Sequence, residues 1–399
     1  MKSITSRVLT INGGSSSIKF ALYEMEVPMA KLLYGEIENI GKNNTRLNYN
    51  DSKIEISKTI NFIAADHEIA AVFLIEWLEK QEVFVSVKVI GHRIVHGMKH
   101  TQPQRITPEL LAELRKIIPY DPEHLPGEIK LIEVLTNRCP SLVQIAFFDT
   151  AFHTSMPPVA RLLPIPRIFK ANGIQRYGFH GLSYSYLMEE LQRIAGRETA
   201  NGKIILAHLG NGASLAAVKD GKSVDTSMGF TPTSGLPMST RSGDLDPGVA
   251  WYLMKIEKLS PEQFSHLINH QSGLLGISET SSDMRELLKS QSNDSRAAEA
   301  IELFCYQTKK WIGSFAAVLG GLDTLVFSGG IGENAPEVRE RICQGLQFLG
   351  IELDRSRNAM NEEIISSVNS VVNVRVIKTD EELMIARMVS QVLNLSTKK

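Results

Sequence analysis

The chain has 399 residues, 43% of them hydrophobic, which is enough to fill a core and excludes the disordered and low-complexity classes. Its 43 Lys and Arg against 44 Asp and Glu leave a formal charge of −1, which argues against broad binding to nucleic acid or to anionic membrane. The cysteines Cys139, Cys305 and Cys343 lie far apart and suggest neither a disulfide framework nor a metal knuckle, and no apolar run reaches membrane-spanning length. With a strand pattern opening almost at once and leaving no room for a signal peptide, the expectation is a soluble protein of the cytoplasm, in several domains or one large one.

The first element, 7–24, reads as strand, tight polar turn (NGGSSS) and strand, because Ile18, Phe20 and Leu22 alternate with Lys19, Ala21 and Tyr23. A more polar stretch around Gly41 and Asn43-Asn44 predicts edge strands. Asp66 can cap a helix running to Lys80, in which Ile69, Val72, Phe73, Glu76 and Trp77 keep helical spacing. Val85–Ile90 is expected as a strand that ends at the polar cluster GHRIVHG (91–97). A helix over 108–118, a proline-marked loop over 119–127 and a further helix lead to a buried strand, 142–148, ending at Asp149.

After a proline-rich, loop-like stretch (154–166), RYGFHG (176–181) leads into a helix from about Ser183. Residues 203–226 then repeat the opening design: apolar strand, the turn GNGAS (210–214), and further strands. Two such units about 200 residues apart suggest two related α/β lobes facing a cleft. Residues 253–319 read as mostly helical, with Gly313 weakening the middle of the longest pattern. A strand at 325–327 opens onto SGGIGEN (328–334), and a final strand, 371–377, precedes a helix for which Thr379 and Glu382 form a capping box.

Three glycine-rich turns after apolar strands point to phosphate or nucleotide binding, because backbone amides there can converge on phosphate oxygens. Neither the P-loop nor the dinucleotide fingerprint is present. Arg93 and Arg241 sit in motif-like segments with His, Ser and Gly, and an arginine pair can bind a carboxylate and stabilise a phosphoryl group in flight. Asp149, at the carboxyl end of a buried strand, is placed to orient a nucleophile or help hold a metal. His180 is a candidate donor to a negative oxygen, and His92, His96 and His153 are candidates by sequence alone. Asn12 and Glu381 are oxygen ligands suited to Mg²⁺, which needs few protein ligands.

The motifs LTINGGSSSIKF, GHRIVHG, FFDTAFH, RYGFHG, HLGNGAS, DTSMGFTP, TRSGDLDP, FSGGIGEN and TDEELMIAR occur in this order over nearly the whole length. In them the chain resembles the acetate kinase family, of the acetate and sugar kinase, heat-shock 70 and actin superfamily. The resemblance implies an α/β fold of two lobes with duplicated ribonuclease H-like cores around a cleft. Residues 1–149 with 381–399 would form the first lobe, and 150–380 the second, which would carry the nucleotide segments and the interface of a homodimer. The implied reaction is reversible phosphoryl transfer from ATP to acetate, giving ADP and acetyl phosphate, with Mg²⁺ or Mn²⁺ and no nucleic-acid or membrane partner.

The resemblance also implies site residues. Asn12 and Glu381 match metal-associated positions, Arg93 and Arg241 the arginines flanking acetate and phosphoryl group, Asp149 the catalytic aspartate and His180 the histidine on the transferring group. The nucleotide would be met by His208, Gly210, Asn211 and Gly212, by Asp283, Met284 and Arg285, and by Gly330, Ile331, Gly332 and Asn334, with Lys19 from the opening hairpin. Val95, Phe179 and Pro232 match the pocket for the acetate methyl group, with Tyr120 in place of a leucine. A carboxylate is already a nucleophile at pH 7, so direct in-line transfer by positioning and electrostatics is expected.

Two departures from the family pattern stand out. Where the family commonly has Pro-Leu-His-Asn-Pro, this chain has Pro119-Tyr120-Asp121-Pro122-Glu123-His124, and an aspartate at the histidine position would repel a phosphoryl group. Met98 replaces the usual second glycine after His96. Three alternatives stand beside this reading: a propionate or butyrate kinase, for which Tyr120 and Met98 suggest no enlarged space; a kinase using pyrophosphate or phosphate, motivated by the altered 119–124 segment; and a catalytically silent actin-like nucleotide-binding interaction protein, which loss of Asp149, Arg93 or Arg241 would support, yet all are present.

Overall fold

The computed structural model describes residues 6–14, 16–53 and 55–393, so Ser15 of the first turn and the segments 1–5 and 394–399 lie outside the described residues. The chain divides into two compact units: unit 1 takes in the chain up to Ala151 and resumes at Asp380, and unit 2 is Phe152–Thr379.

Unit 1 is built on β1 (Arg7–Gly13), β2 (Ile18–Glu24), β3 (Lys31–Glu38), β4 (Arg46–Asp51), β5 (Ile56–Asn61), β6 (Val87–Ile94), β7 (Gln104–Arg105) and β8 (Val143–Phe148). They form one sheet in the order β5-β4-β3-β2-β1-β6-β8-β7. The polar stretch after the first hairpin does supply the antiparallel edge, β3 to β5. The alternation in the first hairpin buries Leu9, Ile11, Ile18, Phe20 and Leu22 against Leu74, Trp77 and Leu78 of the helix His67–Glu79, capped by Asp66. Each such fully buried side chain contributes about 1.5–3 kcal/mol of transfer free energy.

In unit 2, β9 (Lys203–Leu209), β10 (Ala213–Lys219), β11 (Lys222–Thr226), β12 (Thr324–Ser328) and β13 (Asn373–Val376) form a sheet in the order β11-β10-β9-β12-β13. The segment β3-β2-β1-β6-β8 of unit 1 has the same order and the same directions. In each, three antiparallel strands are followed by two parallel ones. The repeat read from two hairpins is therefore a duplication of a whole five-stranded core, the ribonuclease H-like arrangement. A buried layer of Tyr184, Leu187, Leu191, Ile204, Leu206, Ala216, Val218 and Val326 holds the helix Gly181–Ala200 to the unit 2 sheet.

Four sequence expectations are corrected. GHRI does not follow a strand but belongs to β6, because Arg93 pairs with Asn12 on one side and Phe147 on the other. Gly91 permits this, since a Cβ there would collide with Ile385 of the helix Glu381–Val392 packed on that strand. SGGIGEN is a strand-to-helix junction rather than a loop: β12 runs to Ser328, and Gly329–Asn334 is a short helix. The helix at 381 is capped by Asp380, whose carboxylate accepts from the Leu383 amide, and Thr379 instead hydrogen-bonds Ser183. The helix after RYGFHG begins at Gly181 and is broken at Gly196, where φ is +84°.

Candidate active site

In unit 1 the sheet register does the assembling. Asn12 of β1 pairs with Lys19 of β2 and Arg93 of β6, and Arg93 pairs with Phe147 of β8, two residues before Asp149. Four strands thus bring these residues to one level at the carboxyl ends of β1, β6 and β8, where parallel sheets carry their ligand sites. Arg93 donates from Nε to Oδ2 of Asp149 at 2.8 Å, with Nη2 2.6 Å from the same oxygen, and from Nη1 to the Gly13 carbonyl at 3.1 Å. The side chains are 11% and 1% exposed. Burial alone would lower the guanidinium's pKa, but Asp149, Glu381 and Glu128 outweigh it and raise it, so Arg93 stays charged.

A carboxylate that the sequence reading missed completes this group. Glu128, near the start of the helix Leu125–Arg138, accepts the Val95 amide with both oxygens, at 3.0 and 3.2 Å, and lies 3.8 Å from Nη1 of Arg93. Burial pushes it up to about 8, against the lowering pull of Arg93 and of the Val95 amide. In the sequence it is an ordinary helix glutamate; nothing marks it as inward-facing.

Asn12 donates to Oε2 of Glu381 at 2.8 Å, and more weakly to Glu382 at 3.4 Å. Burial, then the negative charge of Glu381, raises Glu382. Lys19 lies among Glu36, Glu382 and Glu381, which raise its pKa although burial lowers it, so carboxylates are its partners within unit 1. Among the described residues no cluster of three His, Cys, Asp or Glu forms a ready-made metal cage. The donor set of Asn12 and Glu381 nevertheless fits Mg²⁺, a hard ion that takes few protein oxygens and fills its shell with water and phosphate.

The altered segment is also resolved. Asp121 Oδ1 lies 2.9 Å from Nδ1 of His124, and both side chains are buried. Asp121, expected to repel a phosphoryl group, is thus engaged by His124. Val95 is buried and Tyr120 half-buried, with the ring of Tyr120 edge-on to His96. Burial holds His92, His96 and His153 down at about 4, so all three are neutral at pH 7. His92 meets Gln144, His96 accepts from the Met98 amide, and His153 contacts Ser223 and the Phe179 carbonyl. Each is thus occupied by structural partners.

In unit 2 the parallel pairing of β9 and β12 sets His208 beside Ser328, so the GNG loop and the helix Gly329–Asn334 open side by side. A Cβ on Gly210 would stand 3.7 Å from the Gly330 amide nitrogen and 3.9 Å from Nε2 of His208. A Cβ on Gly212 would stand 3.2 Å from Nε2 of His180 and 3.7 Å from Nη1 of Arg241. A side chain at 212 would crowd His180 and touch Arg241. Ser239 ties the Arg241 loop to Asn211 through two contacts of 3.2 Å, and Arg241 Nη1 donates to the Pro232 carbonyl at 3.2 Å.

His180 adopts a left-handed conformation, φ +60°, at the end that begins the helix Gly181–Ala200. Such backbone strain in a non-glycine residue clusters at functional sites. Its Nδ1 meets Ser214 at 2.8 Å, Ser214 in turn contacts the Tyr184 hydroxyl, and the His208 ring lies 4.4 Å away. The ring thus has Nδ1 engaged by Ser214 and Nε2 beside Gly212. Phe179 and Pro232 are buried.

The helix Gly329–Asn334 is braced from below. Glu333 accepts from the amides of Gly329 and Thr379, and fully buried Arg339 donates to the Gly332 carbonyl at 2.8 Å. Ile331 and Asn334 belong to this helix, and Asn334 donates back to the Gly330 carbonyl. Asp283 caps the helix Met284–Ser290 and pairs with exposed Arg285, while Met284 is buried in the core. Those contacts are local, and it is Gly210, Gly212 and Gly330 with His180, His208 and Arg241 that the fold of unit 2 gathers.

The acetokinase family model matches residues 7–387. An acetate kinase of Methylocella silvestris is 44% identical over 394 residues, which cover 95% of this chain and 96% of that protein. The crystal structure of a propionate kinase from Francisella tularensis subsp. tularensis superposes with a TM-score of 0.90 at 38% identity, over 96% of this chain and 98% of the other. That of Porphyromonas gingivalis acetate kinase gives 0.86 at 38% identity, over 97% and 100%.

Proposed function

The chain belongs to the acetokinase family and is a phosphotransferase, and we propose that it moves a phosphoryl group reversibly between ATP and acetate, giving ADP and acetyl phosphate. The observation that carries this reading is the bare GNG backbone, with Gly212 beside the Nε2 of His180 and the guanidinium of Arg241, and Gly210 beside the amide of Gly330. Anionic phosphate oxygens are what such a group of donors suits.

The roles follow from the chemistry of two anions that must react. Arg93, fixed by Asp149, holds the acetate carboxylate and offsets its charge, and within the same unit Val95 and Tyr120 set the space for the acyl chain. Arg241 and His180 donate to the equatorial oxygens of the phosphoryl group as charge develops there. The backbone of His208–Gly212 and of Gly330–Asn334 cradles the nucleotide phosphates, with Asp283–Arg285 toward the nucleoside. Asp149 serves as the anchor of Arg93 rather than as a covalent carrier, since its Oδ2 is already bound to the guanidinium. Asn12 and Glu381 would hold Mg²⁺, which when bound neutralises phosphate oxygens. The acetate carboxylate then attacks in line, without a general base.

Acyl phosphate formation, measured with acetate, propionate and butyrate against ATP and pyrophosphate, tests the reading. Acetyl phosphate from acetate and ATP is expected; no acyl phosphate from any pair would sink it. The half-buried ring of Tyr120 favours short acyl chains, so butyrate is expected to be the poorest of the three.

We further infer a homodimer formed through unit 2. The helix Pro247–Lys255 is apolar in sequence yet buries none of its residues, and leaves Trp251 61% and Tyr252 50% exposed, with Val249, Met254 and Ile256. A patch of this kind marks an association surface. A dimer in sedimentation velocity that dissociates in Trp251→Glu is the expected result; a monomeric wild type would overturn it. No helix among the described residues is long and apolar enough to cross a membrane, and the cytoplasm, with its ATP, is the proposed site of action.

A further inference from the structure

We propose that Glu128 is a positioning residue for the acyl substrate: its buried carboxyl group fixes the Val95 peptide and the Nη1 edge of Arg93, and so sets where the substrate carboxylate binds. The proposal rests on the reading of Arg93 as the acetate-binding arginine.

The geometry allows Glu128 little else. Its side chain is 2% exposed, and both oxygens are spent on one backbone amide, that of Val95, directly after β6 has delivered Arg93. Gly13, whose carbonyl takes Nη1 of Arg93, packs against the Glu128 side chain, as a Cβ at residue 13 would stand 3.5 Å from its Cγ. One carboxyl group therefore touches the residue proposed for the acyl pocket, the arginine proposed for the carboxylate and the strand end beneath it. Arg93 faces two acids, Asp149 at hydrogen-bond distance and Glu128 at 3.8 Å. Asp149 takes Nε and Nη2, which leaves the Nη1 edge as the part that Glu128 steers.

The protonation of Glu128 then bears on the substrate. The charged and titratable groups around it are Arg93 at the end of β6, Asp149 after β8, and Asp121 with its partner His124 ahead of its own helix. Glu381 acts on Arg93 from the helix Glu381–Val392, and His67 of the neighbouring helix packs on Gly127. Burial raises Glu128 to about 8, while Arg93 opposes the shift. Below that pH the group is neutral, and Arg93 has one anionic neighbour fewer and more charge left for a substrate anion. Above it, Glu128 becomes a second anion competing for the same guanidinium. The sign is fixed: acetate binding weakens as pH rises through about 8.

Steady-state kinetics of wild type, Glu128→Gln and Glu128→Ala between pH 6.5 and 9 test this, with KM for acetate and for ATP measured separately. Glu128→Ala, which leaves the Val95 amide without its acceptor, is expected to raise the acetate KM about tenfold with the ATP KM unchanged. Glu128→Gln keeps an acceptor and is permanently neutral. Whatever its level at pH 7, its acetate KM should stay flat where that of wild type climbs. Identical pH profiles for wild type and Glu128→Gln overturn the proposal, as does an unchanged acetate KM in a folded Glu128→Ala. Should Glu128→Ala not fold, the glutamine profile alone decides. A wild type that makes no acetyl phosphate would instead remove the acetate reading itself, and this inference with it.

Discussion

Arg93 and Asp149 share a single oxygen: Nε and Nη2 of the guanidinium stand 2.8 and 2.6 Å from Oδ2 of the aspartate, in a setting almost closed to solvent. Removing one partner of a buried pair leaves the other uncompensated, at a cost of about 3–5 kcal/mol. Asp149→Asn keeps the shape and an oxygen that can accept from both nitrogens, and removes the charge. We expect turnover to fall at least about a hundredfold and the urea midpoint to drop. Turnover within a few fold of wild type would refute the anchoring role.

Gly212 offers a prediction that separates activity from stability. Its backbone is not in the left-handed region, so alanine is conformationally admissible, yet the new methyl would press on Nε2 of His180 at 3.2 Å. Gly212→Ala should fold with a melting temperature within a few degrees of wild type while losing about a hundredfold in kcat/KM. Unimpaired kinetics would show that His180 and Arg241 need not approach that backbone.

From sequence alone, Asp121→His looks like a repair of the altered family motif. The structure reverses the expectation. Asp121 is buried against His124, so a histidine there would set two imidazoles together and discard the carboxylate between them. Loss of stability by about 3–5 kcal/mol and no gain in turnover are expected from chemical denaturation and the acyl phosphate assay. A stable, faster variant would contradict this.

Met98 stands in the left-handed region, φ +49°, at the position where the family usually has glycine. A side chain there costs roughly 1–2 kcal/mol, and glycine's added chain entropy takes back about 0.5–1 kcal/mol. Met98→Gly is therefore expected to be neutral to slightly stabilising, whereas β-branched Met98→Ile should lower the melting temperature. Equal stability of the two variants would mean that the backbone relaxes out of this conformation.

The sequence made the hairpins legible because alternation at Ile18, Phe20 and Leu22 and the turns NGGSSS and GNGAS are local signals, and the same signals disclosed the duplication. It did not reveal that Gly91, His92 and Arg93 are strand residues. A glycine beside charged groups reads as a loop, and only the parallel neighbours β1 and β8, distant in sequence, satisfy that backbone. The candidate site residues Asn12, Arg93, Asp149, His180 and Arg241 are legible as parts of motifs rather than through periodicity. Glu128 and Arg339 were missed for one reason. A charged residue on a helix is exposed by default, and what buries these two is a partner outside their own helix: the Val95 amide and the Gly332 carbonyl.

Asn12 and Glu381 are 369 positions apart, and the helix that begins with Glu381 covers β6 at Gly91. In synthesis, unit 2 is one continuous stretch that emerges whole, whereas the first strands of unit 1 leave the ribosome long before their covering helix. Unit 1 must therefore wait, with an apolar face of β1 and β6 uncovered, until Ile385 and Val389 are made. Nascent chains stalled ahead of that helix are the ones a chaperone or protease would meet in an unfinished state.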